Sequence, residues 1–321
     1  MRRRNLLALA AAAAVLPAST GSAQEAGRKY LLGFLVQAPR PRYAVLFEEL
    51  HRLGFIEGSN LSVAPNGFGL AVEQLEAAAV EVAQTKPDAI FCGGDAAARA
   101  AQQATDTIPL VTIADDAIRN RLVVSLARPG GNLTGISILA SELNGKRLEL
   151  LIELLPGIRR IAALIDPATT TIEQLQALIA AARSRAVELS IHRIETPQDI
   201  VPAIEAARAS GADALNVFAS ALLYANRALI IEHSALARLP AIYQFPEHCT
   251  EGGLVGYGSR LASLDRQAAG LLAKVMTGTR PADLPVEQPI KLELCINLKT
   301  AKALGVTVPQ WLLQRADEVI E

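Results

Sequence analysis

The sequence predicts an α/β protein: two doubly wound, parallel-sheet lobes with a ligand cleft between them. Three observations predict it. Short apolar runs alternate with amphipathic helical stretches almost from end to end. The strand-like runs are continuously apolar, which fits sheets covered by helices on both faces. The alternation fills one block, restarts near residue 140, and occupies 321 residues, room for two units of about 110–150 residues each.

The elements follow in order. Leu31–Val36 reads as a buried strand and Tyr43–Leu53 as a helix closed by Gly54. Asn60–Ala64 is a second strand, and Val72–Gln84 a helix with Val72, Leu75, Ala79, Val82 and Ala83 on one face. Strand Asp88–Cys92 leads into a helix capped by Asp95 and running to about Ala104. Strands Ile108–Ile113 and Asn132–Ile138 complete the first block. The second opens with helix Ser141–Leu155, stopped by Pro156-Gly157. Strands are expected at Ile161–Ile165, Leu189–Ile194, Ala214–Phe218 and Ala241–Phe245, with helices Ile172–Val187, Ile200–Ala209 and Ala225–Ala237 between them. Leu254–Tyr257 is short and extended, Leu261–Met276 a long helix, and Ile290–Asn297 a last extended run before a C-terminal helix. Strand–helix alternation of this length implies right-handed βαβ units.

Composition narrows the function. The chain is 51% hydrophobic, 20% charged and only 4% aromatic, so aliphatic side chains and alanine must fill a sizeable core. Met1-Arg2-Arg3-Arg4, an apolar stretch of eleven residues from Leu6 to Leu16, Pro17, and Gly21-Ser22-Ala23 have the three-part form of a signal peptide over residues 1–23. The stretch is too short to span a bilayer. Arg3-Arg4-Asn5-Leu6-Leu7 also fits a twin-arginine signal, so the Sec and twin-arginine routes both stay open. The expected location is the periplasm. No later run reaches 18 apolar residues, and no cysteine stands near the cleavage site to carry a lipid. Without residues 1–23, 28 basic residues face 32 acidic ones, a net charge of −4 with no basic cluster to suggest nucleic acid. Cys92, Cys249 and Cys295 show no metal spacing and read as buried small apolar side chains, a Cys249–Cys295 bridge being the lesser alternative. There is no Gly-x-Ser-x-Gly elbow, no His-Glu-x-x-His and no Gly-x-Gly-x-x-Gly after the first strand. His51, His192 and His233 fall in helices or outer segments, His248 being the one possible exception. An enzyme is not expected, and neither is a cofactor or a metal.

Four blocks carry a resemblance. They are Ser125-Leu126-Ala127-Arg128-Pro129-Gly130-Gly131-Asn132-Leu133-Thr134-Gly135; Gly145-Lys146-Arg147-Leu148-Glu149-Leu150-Leu151 with Leu155-Pro156-Gly157; Glu251-Gly252-Gly253-Leu254 with Tyr257-Gly258; and Ile296–Gly305 with Arg315–Ile320. In this order they resemble the ABC-transporter substrate-binding family that includes TrpX-type proteins, over about residues 28–321. The resemblance implies a type I periplasmic-binding-protein fold. Its interlobe crossings would fall near Ile136–Leu139, Gly252–Tyr257 and Pro289–Cys295. Lobe 1 would then be 28–137 plus about 255–290, and lobe 2 138–254 plus about 291–321, with the Leu261–Met276 helix packed on lobe 1. The implied function is capture of a small polar, amino-acid-like molecule for an ABC permease in the inner membrane, by a monomer. A periplasmic ligand sensor signalling to a membrane kinase is the alternative on the same fold. The Arg128–Asn132 turn and the capped helix Lys299–Leu304 read as structural rather than ligand-binding.

Ligands of such sheets bind outside the strand carboxyl ends, here between the lobes. After the first strand the candidates are Gln37 and Arg40; Arg40 or Arg42 can attract an anionic group, Arg42 reading rather more as part of a solvated loop, and the Pro-Arg-Pro-Arg run departs from the small hydroxyl residues frequent in the family. After the third come Gly93, Gly94 and Asp95, where a helix N-terminus offers backbone N–H groups to a carboxylate or phosphate and Asp95 competes as its cap. After the fourth comes Asp115, a candidate for a ligand ammonium, followed by Asp116 where the family often has Pro. The second lobe offers Asp166, where the family often has Asn, with Thr169, Ser220, Tyr224, Gln244 and Glu247. Tyr224 or Tyr243 can stack on an apolar part of the ligand, but so few aromatics argue against an aromatic cage.

Overall fold

A computed structural model of the protein describes residues 27–321. The proposed signal peptide lies outside the described residues. Two sheets organise the chain. The first has five strands, β1 (Tyr30–Leu35), β2 (Leu61–Val63), β3 (Ala89–Gly93), β4 (Leu110–Ala114) and β5 (Leu133–Ser137), in the order β2-β1-β3-β4-β5 and all parallel. The second has seven: β6 (Arg160–Ile165), β7 (Glu188–Arg193), β8 (Ala214–Val217), β9 (Ala241–Tyr243), β10 (Val255–Gly258), β11 (Glu293–Asn297) and β12 (Glu318–Ile320), in the order β12-β11-β10-β9-β8-β6-β7. Its first five strands in sequence repeat the order of the first sheet, so each lobe reverses strand order between its first and third strands. That reversal is where a doubly wound sheet opens a crevice.

Among the described residues twelve helices connect the strands: α1 (Ala44–Arg52), α2 (Leu75–Gln84), α3 (Asp95–Ala104), α4 (Ala140–Leu154), α5 (Ile172–Arg183), α6 (Ile200–Ala209), α7 (Ala221–Ala225), α8 (Arg227–Leu236), α9 (Glu247–Thr250), α10 (Leu261–Met276), α11 (Leu298–Leu304) and α12 (Gln310–Arg315). The period-2 alternation of the strands sorts the first core into two layers. Leu32, Phe34 and Phe91 face α1 and α10 with Leu46, Leu50, Leu264 and Leu272. Leu35, Ile90 and Cys92 face α2 and α3, whose buried sides are largely alanine: Ala78, Ala79, Ala97, Ala98 and Ala101. The second lobe has one continuous core around Ile161–Ile165, Leu215 and Ile242. Each buried Leu or Ile contributes about 1.5–3 kcal/mol relative to exposure, so aliphatic packing supports a large core despite few aromatics.

The chain crosses between lobes three times. It leaves β5 through Ile138 and Leu139, which takes φ 58°, and enters α4. It returns after β10, at Ser259-Arg260, into α10, which packs against α1 and β3–β5. Val286 and Glu287 then run along the edge of the first sheet, Glu287 N–H donating to Gly135 O at 2.8 Å, before the chain crosses back into β11. Two details depart from the sequence reading. β10 pairs with β9 and β11 in the second sheet, so the return to the first lobe starts after Gly258 rather than near 255. β10 and β11 are antiparallel, and the helix that follows Asn297 as expected is succeeded by a further strand, β12, which pairs with β11. The Lys299–Leu304 helix is capped as its sequence implies: Asn297 Oδ1 accepts the Thr300 N–H at 3.0 Å, and Gly305 closes it at φ 73°. Cys92, Cys249 and Cys295 are buried free thiols, and the Cys249 S–H donates to Cys295 O at 3.1 Å. No helix among the described residues is long and apolar enough to cross a membrane.

Candidate ligand-binding site

The carboxyl ends of both sheets face one cleft. From the first lobe come Gln37, Ala38, Arg42 and Tyr43 after β1, Gly93 and Gly94 after β3, and Asp115 after β4. The second lobe contributes Ser220, Ala221 and Tyr224 after β8 and Gln244 and Phe245 after β9. Phe91, Ile113, Ile138 and Leu261 complete an apolar wall.

The lobes meet closely at α3. Gly94 adopts φ +101°, and a Cβ there would lie 2.9 Å from the Ala221 Cβ of the opposite lobe. Glycine is therefore required both for the backbone conformation and for the approach. It places the first-turn amides of α3, which have no acceptor within the helix, at the cleft. Beside them Asn120 donates to Asp95 and, across to the second lobe, to Thr169 O at 3.2 Å.

Asp115 is 7% exposed and lines the cleft, and its Oδ2 has no hydrogen-bond partner among the described residues. Burial, then the charges of Asp95 and Asp166, push its carboxyl well above the usual carboxylate range; Arg147 opposes this. Arg147 is fully buried in α4 beneath the cleft, and burial pulls its guanidinium down to about 9. It donates to Asn144 Oδ1 at 2.8 Å, Tyr257 O at 2.9 Å and Gln244 O at 3.1 Å, clamping the ends of β9 and β10. On the second-lobe side Gln244 Oε1 accepts the Ser220 N–H at 3.0 Å.

Of the residues expected from sequence, Gln37, Gly93, Gly94, Asp115, Ser220, Tyr224 and Gln244 line this cleft. Four do not. Arg40 points outward, pairs with Glu57 at 2.5 and 2.6 Å, and lies over the rings of Phe47 and Phe68. The Arg40–Tyr43 stretch is a 3₁₀ turn, and residues two apart on it lie on different faces, so Arg42 turns inward while Arg40 turns out. Asp95 is fully buried and does not cap its own helix: it reaches sideways to accept the Asp115 N–H at 2.9 Å. Asp166 is held by the Ala168 N–H within its own turn and by the Ser220 hydroxyl after β8, each at 2.8 Å. Glu247 accepts the Leu261 N–H at 2.9 Å at the start of α10, tying the lobes at their second crossing.

The sequence favours a solvated loop for Arg42, and it does not single out Tyr43, Phe91 and Phe245 for the lining. Arg42 Nη1 pairs with Asp265 Oδ2 at 2.7 Å, and its guanidinium lies 5.1 Å from the Tyr43 ring centre and 5.5 Å from that of Tyr224 in the other lobe. Tyr43, Phe91, Tyr224 and Phe245 all reach the cleft, so the scarce aromatics are concentrated there. Phe91 and Ile113 carried a signal: each lies one or two residues before a strand's carboxyl end. Tyr243 does not line the cleft but stacks on His248 at 5.0 Å in the second lobe. Burial pushes the His248 imidazole down to about 3, so it is uncharged at neutral pH.

Against this geometry, residues 45–320 match the family model for ABC transporter substrate binding proteins. The chain belongs to that family. Among curated relatives of this substrate-binding protein is a tyrosine-binding protein of Clostridioides difficile, 26% identical over 255 residues, 79% of this chain and 73% of the relative. Among solved structures, the ABC domain of a Streptococcus pneumoniae protein in complex with L-Trp superposes with a TM-score of 0.80 at 21% identity, covering 91% of this chain and 100% of that one. A conserved domain protein of Vibrio cholerae superposes at 0.81 with 23% identity, covering 91% and 99%. The two-lobed architecture is that of a type I periplasmic binding protein.

Proposed function

We propose that this substrate-binding protein captures an amino-acid-like ligand between its lobes and delivers it to an ABC permease after export to the periplasm, acting as a monomer and catalysing no reaction. The observation that carries the reading is the buried, unpartnered Asp115 carboxylate in the same cleft as the N-terminus of α3. Asp115 suits an ammonium. The α3 amides, with the Gly93-Gly94 turn nearby, suit a carboxylate. The apolar wall suits a side chain. The tyrosine-binding relative and the L-Trp complex of a structural neighbour support the same ligand class. The signal-like N-terminus supports export.

A ligand that touches both lobes favours closure by its difference in affinity for the closed and open forms. A thermal-shift screen of residues 24–321 against amino acids, aromatic acids, sugars and nucleosides tests the reading. The expected result is saturable stabilisation by one or a few amino acids, about 2.7 kcal/mol at 100 times the dissociation constant, with the compound unchanged afterwards. A hit confined to sugars or nucleosides, or one that is consumed, would overturn it.

A further inference from the structure

Arg42 approaches the cleft from the first lobe with its charge already paired to Asp265. Its Nε is nevertheless buried without a partner among the described residues, and so are Asp265 Oδ1 and Glu247 Oε2. One donor and two acceptors are thus left unsatisfied around the first turn of α10, beside Leu261, which lines the cleft. Buried polar groups are normally paired.

We propose that the Arg42 end of the cleft is a subsite for a neutral hydroxyl at the tip of the ligand's side chain, with Arg42 Nε as its donor. The proposal rests on the reading that the cleft takes an amino acid by its ammonium at Asp115. Asp115 follows β4 and Arg42 follows β1, with β3 between them, so the two ends are two strand spacings apart, roughly 10 Å. Between them the wall is apolar, with Phe91 and Tyr43 prominent. The ligand the cleft fits is therefore charged at one end, apolar in the middle and polar again at the tip. Charge decides which polar tip. The Arg42 guanidinium faces Asp265 and Glu247, and Arg260 nearby is engaged with Glu293 and Glu318. No net positive charge is left for a second carboxylate, and a second ammonium would meet the guanidinium itself. A hydroxyl accepts from Nε and carries no charge to repel.

The test compares dissociation constants of L-tyrosine, L-phenylalanine and L-4-carboxyphenylalanine by calorimetry, on the wild-type protein and on Arg42→Lys. The lysine keeps the charge opposite Asp265 and removes Nε. In the wild type, tyrosine should bind about ten- to a hundredfold tighter than either analogue, because each leaves Nε unpaired or adds charge. In Arg42→Lys the preference for tyrosine over phenylalanine should fall to less than about threefold, with phenylalanine affinity little changed. Equal or tighter wild-type binding of phenylalanine would overturn the subsite while leaving the amino-acid reading intact. So would a loss in Arg42→Lys that is the same for tyrosine and phenylalanine. If no amino acid binds the wild type, both readings fall together. The wild-type ratio needs no variant, so a poorly folded Arg42→Lys leaves the proposal testable.

Discussion

Asp115 holds a carboxylate whose environment is costly until a cation arrives. Its folded pKa is raised by burial and by Asp95 and Asp166. For a carboxylic acid raised in this way, the contribution to stability is complete below the unfolded pKa and is lost as pH rises through the folded value. The unliganded protein should therefore lose part of its stability as pH rises through that elevated pKa, and Asp115→Asn should flatten the dependence of Tm on pH. Ligand binding has the opposite sign, because an ammonium requires the ionised carboxylate. Affinity should fall as pH is lowered through the same range, starting above the usual carboxylate pKa, and titration calorimetry across mildly acidic to neutral pH reads it. Asp115→Asn should cost about 2–5 kcal/mol in amino-acid binding while leaving the unliganded Tm unchanged or higher. Binding of the variant within about threefold of wild type, well under 1 kcal/mol, would remove Asp115 from the site.

At the scale of elements, the α3 N-terminus and the α4 clamp do different work. Gly94 must hold φ +101° with Ala221 against it, so Gly94→Ala meets backbone strain of about 1–2 kcal/mol in either state. The contact with Ala221 adds its cost only when the lobes are closed. The expected outcome is weaker ligand binding with an unchanged far-ultraviolet circular dichroism spectrum. Arg147 supports the floor of the site without lining it. Arg147→Met leaves Asn144 Oδ1 and the carbonyls of Gln244 and Tyr257 without this donor. It should cost about 3 kcal/mol of stability, measured by urea unfolding. The Gly145-Lys146-Arg147 block thus carries architecture that a ligand never touches.

Across the whole molecule, three crossings join lobes that share a strand order, and the cleft takes residues from both. Across the cleft the two lobes bring together groups far apart in sequence: Arg42 with Tyr224, Gly94 with Ala221, Asn120 with Thr169. Small-angle X-ray scattering should show the radius of gyration falling when saturating ligand is added, and a smaller fall for Gly94→Ala. An unchanged radius with tight binding would mean that the free protein is already closed.

How much of this was legible follows from which interactions are local. Strand and helix positions, the two-lobe arrangement and the strand-end loops were set by hydrophobic periodicity and helix stops, which depend on neighbours a few residues away. Those loops already contained Gln37, Gly93, Gly94, Asp115, Ser220, Tyr224 and Gln244. Local pattern does not say which way a loop side chain turns. The 3₁₀ turn at Arg40–Tyr43 exchanged the roles of Arg40 and Arg42, and Asp95 turned to the β4 loop because the Asp115 amide, distant in sequence, needed an acceptor. Apart from Tyr224 the aromatic wall was hidden for a similar reason: a composition of 4% aromatics says nothing about where they gather. The sequence by itself determined the alternation of elements and hence the face on which a ligand can sit. Only the tertiary structure decided which side chains reach it, because burial, charge pairing and the meeting of two lobes are contacts between residues remote in the chain.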